Sequence, residues 1–263
     1  LAGSWVYERL DDYLADYFKE FADFSDEQRQ EIQIVSEEFL NWFSENELLN
    51  VVALLEDIKE IDIENPEQTV KESYAKGEDI FRRSNNYFKK PIISFSKRLT
   101  KDQIKQIGSH FDELRNEREE ERNKEKKEYK ERILENYIAG FDRIGINLRE
   151  DQIDAININL ASHNNTREEW SNLQQDWVEE FIELLKTNQS YDYEMKMSSY
   201  LSSLENLGNE NFREKINENE ILAIKIISLV FLTIDEKQFK GFNRSLDVYL
   251  KSISRILSKR RVN

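Results

Sequence analysis

The sequence has no cysteine, and it has only seven glycines and two prolines among 263 residues. A chain without cysteine forms no disulfide, has no thiol nucleophile and offers no thiolate ligand to zinc. Glycine and proline together fall far below their usual share of about 12%. Because tight turns depend on these two residues, their scarcity predicts long helices with few breaks.

Long apolar runs are also missing, since a membrane-spanning helix needs about 20 such residues in succession. The most apolar stretch, residues 221–232, is interrupted by Lys225 and Ser228 and is predicted to be a fully buried helix. The net charge of −15 opposes binding to the phosphates of nucleic acids and to anionic lipid headgroups. We therefore expect no nucleic-acid partner, and a protein partner instead.

Apolar residues recur at helical spacing along almost the whole chain. Asn65 before Pro66 predicts a helix start, and Pro91 predicts the break or kink that ends that helix. No low-complexity linker divides the sequence. The fold class is therefore predicted to be all-α, an irregular antiparallel multi-helix array with several long helices in a single domain over residues 1–263.

A segment of unusual charge density follows the middle of the chain. Of the 18 residues from 115 to 132, 15 are charged, so this stretch cannot lie flat in a core. We expect residues 113–132 to project as a charged helical segment, either as one helix or broken by a loop. Its acid-before-base pairs at four-residue spacing support a helix, and the projecting charged segment is the candidate partner surface. The residues concerned are Glu120, Lys124, Glu128 and Arg132.

One short motif occurs four times, as an apolar residue, a capping residue, two polar residues and then glutamine. It is typical of a capping box, in which the cap side chain accepts from the helix start and the glutamine reaches back to the cap's N–H. In the copy at residues 148–152, Arg149 is a poor cap, and Asn147 is an alternative. We predict a role in stability for these boxes. Their capping residues and glutamines are Ser25, Gln28, Thr100, Gln103, Asp235 and Gln238.

The pentad Leu99-Thr100-Lys101-Asp102-Gln103 resembles the motif at helix starts of periplasmic proteins of the Spy and CpxP kind. A broader resemblance is to an uncharacterised domain-of-unknown-function family of helical bacterial proteins thought to be lipoproteins. Its opening pattern is carried by Tyr7-Glu8-Arg9-Leu10-Asp11, by Asp16-Tyr17-Phe18 and by the box at residues 25–28. The later boxes and the helix around Trp170 extend it. The resemblance implies a helical fold and an envelope location, and it implies no particular activity.

The chain opens Leu1-Ala2-Gly3-Ser4, and a bacterial lipobox reads Leu-Ala-Gly-Cys. Ser4 stands where the lipid-bearing cysteine would be, which predicts a lipoprotein whose native residue there is cysteine. A natural start or a vector remnant is the alternative. With cysteine present, the protein is expected in the periplasm, held to the outer membrane only by that amino-terminal lipid.

Local signatures of catalysis are missing. His110 lacks the ligand spacing of metal-binding helical bundles, His163 is expected at a helix end or turn, and no glycine-rich phosphate loop is present. We therefore expect no metal, no cofactor and no catalytic residue. The leading hypothesis is a lipoprotein body that binds a protein without catalysis. The alternatives are an ATP-independent periplasmic chaperone or envelope-stress protein, a cytosolic coiled-coil adaptor, and an enzyme with a site built from Asp, Glu and His110.

Overall fold

The computed structural model describes residue 7 and residues 9–125, 128–203 and 206–261. The described chain is all-α, with no strand among these residues, and the predicted multi-helix array is confirmed. None of its helices is both long and apolar enough to cross a membrane. The helices are α1 (Leu10–Lys19), α2 (Asp26–Asn46), α3 (Leu48–Lys59), α4 (Glu67–Tyr87), α5 (Lys89–Ser96), α6 (Lys101–Glu125), α7 (Tyr129–Arg143), α8 (Glu150–Asn159), α9 (Arg167–Leu185), α10 (Tyr193–Ser203), α11 (Glu210–Leu232) and α12 (Glu236–Arg261).

The prolines lie at helix starts. Pro66 directly precedes α4, as predicted. The break after that helix falls at Phe88, and Pro91 is the third residue of α5. Proline is tolerated there because the first N–H groups of a helix have no carbonyl partner within it.

Two large apolar cores lie in different parts of the array. The first-half core is named for α5 and α6, which lie in the first half of the sequence. These helices pack there against α9 and α10 of the second half, around Leu99, Ile107, Leu185 and Met197. The second-half core is rich in aliphatic side chains from α8, α11 and α12, and it also includes Ile61, which precedes α4, and Val70 within α4. Its members with at most 1% exposure are Ile146, Ile156, Leu160, Ile226, Val230, Phe242 and Leu246. The two halves of the sequence therefore interlock, because α3 packs against α12 and α4 against α11.

The apolar stretch at residues 221–232 lies in α11 and is not buried on all sides. Ile226 and Val230 are fully buried, whereas Ile221 and Leu232 are more than half exposed. The prediction of a fully buried helix is therefore wrong at both ends of the stretch. An amphipathic helix needs only one face in the core.

Candidate functional site

The four capping boxes meet in two pairs, and each pair brings together helix starts that are far apart in sequence. In the first joint (residues 25–28 with 100–103), the side-chain amide of Gln28 donates to Oε1 of Gln103 at 3.2 Å. Gln103 donates in return to Oε1 of Gln28 at 2.7 Å. The same two oxygens accept from the backbone N–H groups of Ser25 and Thr100. Each glutamine thus serves its own cap and the partner helix.

The second joint (residues 149–152 with 235–238) repeats this arrangement. Gln152 donates to Gln238 at 3.3 Å, and Gln238 donates back to Gln152 at 2.8 Å. Gln238 also donates to the carbonyl of Asn147, as Gln103 does to the carbonyl of Asp23. All four glutamines are buried. A buried amide needs its full set of partners, and the reciprocal pairing supplies them.

Arg149 stands in the second joint where a capping side chain is expected. Its backbone N–H donates to Gln152, but its guanidinium cannot accept a hydrogen bond. The guanidinium instead bridges Asp151 and Asp235, each at 3.0 Å. The departure from the motif therefore gives an ion pair that ties the two boxes together. The alternative cap, Asn147, contributes its backbone carbonyl to Gln238.

The structure places the predicted capping residues at helix starts. Ser25, Thr100 and Asp235 each accept from the backbone N–H of the glutamine three residues later. The reciprocal pairing was not predicted, because a capping box is a local pattern and carries no information about which box meets which.

An apolar cavity of about 360 Å³ lies beside the first joint. The residues that precede the two caps, Phe24 and Leu99, form part of its wall. Tyr17 and Phe18 of α1 also line it and remain 48% and 37% exposed, so the wall meets solvent on the α1 side. Aromatic rings dominate the lining. They belong to Tyr17, Phe18, Phe21, Phe24, Phe88, Phe95, Phe111, Trp177 and Phe181.

Two serines in the cavity wall occupy positions that carry large apolar side chains at the second joint. Ser36 lies eleven residues after the cap Ser25, and Leu160 lies eleven residues after Arg149. Both are buried, but Ser36 lines the cavity whereas Leu160 fills the second-half core.

The other box of each joint shows the same substitution. Ser96 lies four residues before Thr100, and Phe231 lies four residues before Asp235. Ser96 lines the cavity and Phe231 is a member of the second-half core. At equal distances along the chain from the caps, the first joint thus has small residues that line the cavity, and the second joint has large residues that belong to the core.

A polar cleft adjoins the cavity, and Phe21 belongs to the walls of both. The cleft contains Arg29, which occupies the fourth helical position after Ser25. The other three boxes have Ile104, Ile153 and Phe239 at that position. The exception in the first box is therefore a charged residue that faces a polar cleft. The other ionisable groups of the cleft are Lys19, Glu20, Asp23, Asp102, Lys105, His110 and Glu113.

The charged segment at residues 113–132 is divided between two helices, since α6 ends at Glu125 and α7 begins at Tyr129. Glu120 and Lys124 are exposed and form an ion pair at 3.7 Å. The arginines on the inner side of this stretch line a cleft with residues of α9. Over this stretch the segment therefore runs beside α9 and does not project freely from the rest of the protein, although the sequence had suggested that it would.

The far end of the segment is also attached to the body. Glu128 is the exposed N-cap of α7, and Arg132 donates to the carbonyl of Arg122 at 2.6 Å. The hydroxyl of Tyr129 contacts Nδ1 of His163 at 3.1 Å. Burial lowers the pKa of His163, which favours the neutral ring in this contact.

His110 lies on α6 between the cavity and the polar cleft. Its ring centroid is 4.4 Å from that of Phe21, and its Nδ1 is 3.8 Å from Oε2 of Glu113. Among the described residues, no group of three or more His, Cys, Asp or Glu side chains is placed to hold a metal ion. The lipidation position, Ser4, lies outside the described residues.

Together, the helical array and its aromatic cavity define an all-α protein with a ligand-sized apolar site. The chain belongs to a family of unknown function (DUF6279), which matches residues 20–213. The match confirms the predicted membership of an uncharacterised family, and no comparison shows a relation to the Spy and CpxP proteins. No curated protein and no solved structure matches the chain.

Proposed function

We propose that the chain is a non-catalytic binding protein whose aromatic cavity holds the apolar chain of a ligand. The observation that carries the proposal is the pair of serines, Ser36 and Ser96, at positions matched to the filling residues Leu160 and Phe231. The same helix joint is thus compatible with a filled core, and the first half leaves the space open.

The size and lining of the cavity suit such a ligand. Its volume of about 360 Å³ falls within the roughly 300–1,000 Å³ of small-molecule sites. A methylene group that leaves water for an apolar site contributes about 0.8 kcal/mol. A short aliphatic chain is therefore enough for measurable affinity.

An apolar fluorescent probe, N-phenyl-1-naphthylamine, tests the proposal directly. We expect saturable binding of one probe per chain, together with quenching of Trp177, whose ring forms part of the wall. Ser36→Leu should weaken binding, because the larger side chain occupies part of the space. Ser228→Ala is the matched control, because Ser228 is buried on α11 and does not line the cavity. Unchanged binding by Ser36→Leu would contradict the proposal.

We also propose that the native protein is a lipoprotein on the periplasmic side of the outer membrane. The support is the lipobox-like Leu1-Ala2-Gly3-Ser4. Expressed behind a secretion signal, a Ser4→Cys protein is expected to acquire lipid and to fractionate with the outer membrane. The protein with Ser4 is expected in the periplasmic extract. The same fraction for both proteins would reject this location.

A protein-binding function, including that of an ATP-independent chaperone, is the second candidate. It is favoured by the exposure of Tyr17 and Phe18 at the cavity. A chaperone is expected to suppress aggregation of an unfolded client at near-stoichiometric ratios, and Phe18→Ser should weaken that suppression. The double variant Glu120→Lys with Lys124→Glu tests the charged surface separately. It keeps an ion pair between the two positions but reverses the order of the acid and the base along the helix.

A further inference from the structure

We infer that the ligand of the aromatic cavity is a single-chain lipid with a zwitterionic head group, which occupies the adjoining polar cleft. The inference rests on the proposed function and specifies its ligand. Its basis is that the cavity and the cleft share Phe21, so one molecule can have its chain in the first and its head in the second.

The cavity accepts only the apolar part of such a molecule. If each methylene takes up roughly the 30 Å³ share of a water molecule, the volume of about 360 Å³ corresponds to on the order of a dozen methylene groups. Ser36 and Ser96 do not change this character. Their hydroxyls donate to the carbonyls of Ile32 and Ile93, respectively. A charged head within the cavity would lose its hydration without compensation.

The cleft supplies positive charge for a phosphate. Arg29 and Lys105 are both exposed, and neither forms an ion pair within the part of the chain that the structure describes. Lys19, the other strong base of the cleft, is already engaged, since it donates to Gln33 at 2.8 Å and lies 3.7 Å from Asp16. Arginine and lysine are the usual partners of phosphate oxygens.

The cleft also supplies negative charge, which opposes a purely anionic head. Glu20, Asp102 and Glu113 line it, and Glu113 contacts only His110, at 3.8 Å, among the described residues. Asp23 is engaged, because its carboxylate accepts from the amide of Gln106 at 2.8 Å. A head group with both a phosphate and an ammonium matches both signs. Phosphoethanolamine is the simplest such group.

Displacement of N-phenyl-1-naphthylamine by defined lipids tests the inference. The competing lipids are myristoyl lysophosphatidylethanolamine, lysophosphatidylglycerol with the same acyl chain, and myristate, all below their critical micelle concentrations. The zwitterionic lipid is expected to bind about fivefold to tenfold more tightly than the two anionic lipids, and so to displace the probe at a correspondingly lower concentration. Exposed ion pairs of modest strength account for a difference of this size. Equal displacement by all three lipids would overturn the inference.

A double variant, Glu20→Gln with Glu113→Gln, localises the head group, because it removes carboxylates that would face the ammonium. We expect it to lose the preference for the zwitterionic lipid while binding the naphthylamine probe as the wild type does. A preference that survives in this variant contradicts the assignment of the cleft. If the wild type binds the probe but none of the lipids, the inference fails and the proposed function stands. If it binds no probe, the proposed function itself fails.

Discussion

The two joints of this protein have nearly the same hydrogen bonds and opposite surroundings. At each joint, two helix starts meet through a reciprocal pair of buried glutamines. Around the second joint, Ile156, Leu160 and Phe242 are fully buried in an apolar core, and the cleft that borders this joint is lined by charged residues such as Arg149 and Asp235. Around the first joint, aromatic rings and two serines line a cavity. The cavity therefore does not follow from the architecture alone, because the same kind of joint also supports a fully buried apolar core.

In the second half, the turn after α7 packs closely against α12, and disruption of this contact should have the largest effect. Gly145 has a φ of +81°, and a Cβ there would lie 2.5 Å from the carbonyl oxygen of Gly241. Gly145→Ala is expected to cost about 3 kcal/mol of unfolding free energy or more, from backbone strain and displaced helices. Urea unfolding measures the change.

The control for that variant is Gly140→Ala in α7, where an added Cβ meets nothing within 4 Å. It should stabilise the protein by about 0.5–1 kcal/mol, as alanine does in helices. Similar losses of stability for both variants would contradict the close contact between the turn and α12. The first half has Phe21, a residue of the cavity wall, at the position matched to Gly145, four residues before the cap.

Replacement of a paired glutamine should cost more unfolding free energy at the second joint than at the first. Gln152 is 1% exposed and Gln28 is 9% exposed. Removal of either side chain leaves buried polar groups of its partner unsatisfied, at about 1–3 kcal/mol. We expect Gln152→Ala to cost about 3 kcal/mol and Gln28→Ala about 2 kcal/mol by chemical denaturation. Gln30→Ala, an exposed control in α2, should change little. Equal effects of Gln30 and Gln28 would mean that the pairing contributes nothing.

The halves also use arginine differently. Arg149 bridges exposed acids at the second joint, whereas Arg83 binds the buried carboxylate of Glu47 with two hydrogen bonds, at 2.6 and 2.8 Å. The hydrogen bonds from Arg83 lower the pKa of Glu47 below its ordinary value of 4.5. A carboxylate with a lowered pKa stabilises the fold above the ordinary value, and that contribution is lost as the pH falls through the lowered one.

Glu47→Gln is therefore expected to cost about 2 kcal/mol near neutral pH, the range for hydrogen bonds to charged groups. The difference from the wild type should shrink as the pH is lowered to about 3, where carboxylates become protonated. Urea unfolding at the two pH values measures both. A difference that is independent of pH would show that the charge of Glu47 is not responsible.

Local patterns in the sequence predicted the helices and their starts, because capping and helical periodicity depend on residues within one or two turns. The boxes at Ser25, Thr100 and Asp235 are examples. The cavity could not be predicted in this way, since it depends on which boxes pair across 75 and 86 residues of chain. Once the pairing is known, the match of Ser36 to Leu160 can be read directly from the sequence.

Ligand binding in the aromatic cavity is tested most directly by the rise in melting temperature that N-phenyl-1-naphthylamine causes in the wild type and in Ser36→Leu. A ligand that binds only the folded state raises the melting temperature. We predict a clear rise for the wild type and a smaller rise for Ser36→Leu, whose melting temperature without probe should equal or exceed that of the wild type. A lower melting temperature for Ser36→Leu without probe, together with a rise as large as that of the wild type, would contradict a ligand site beside Ser36.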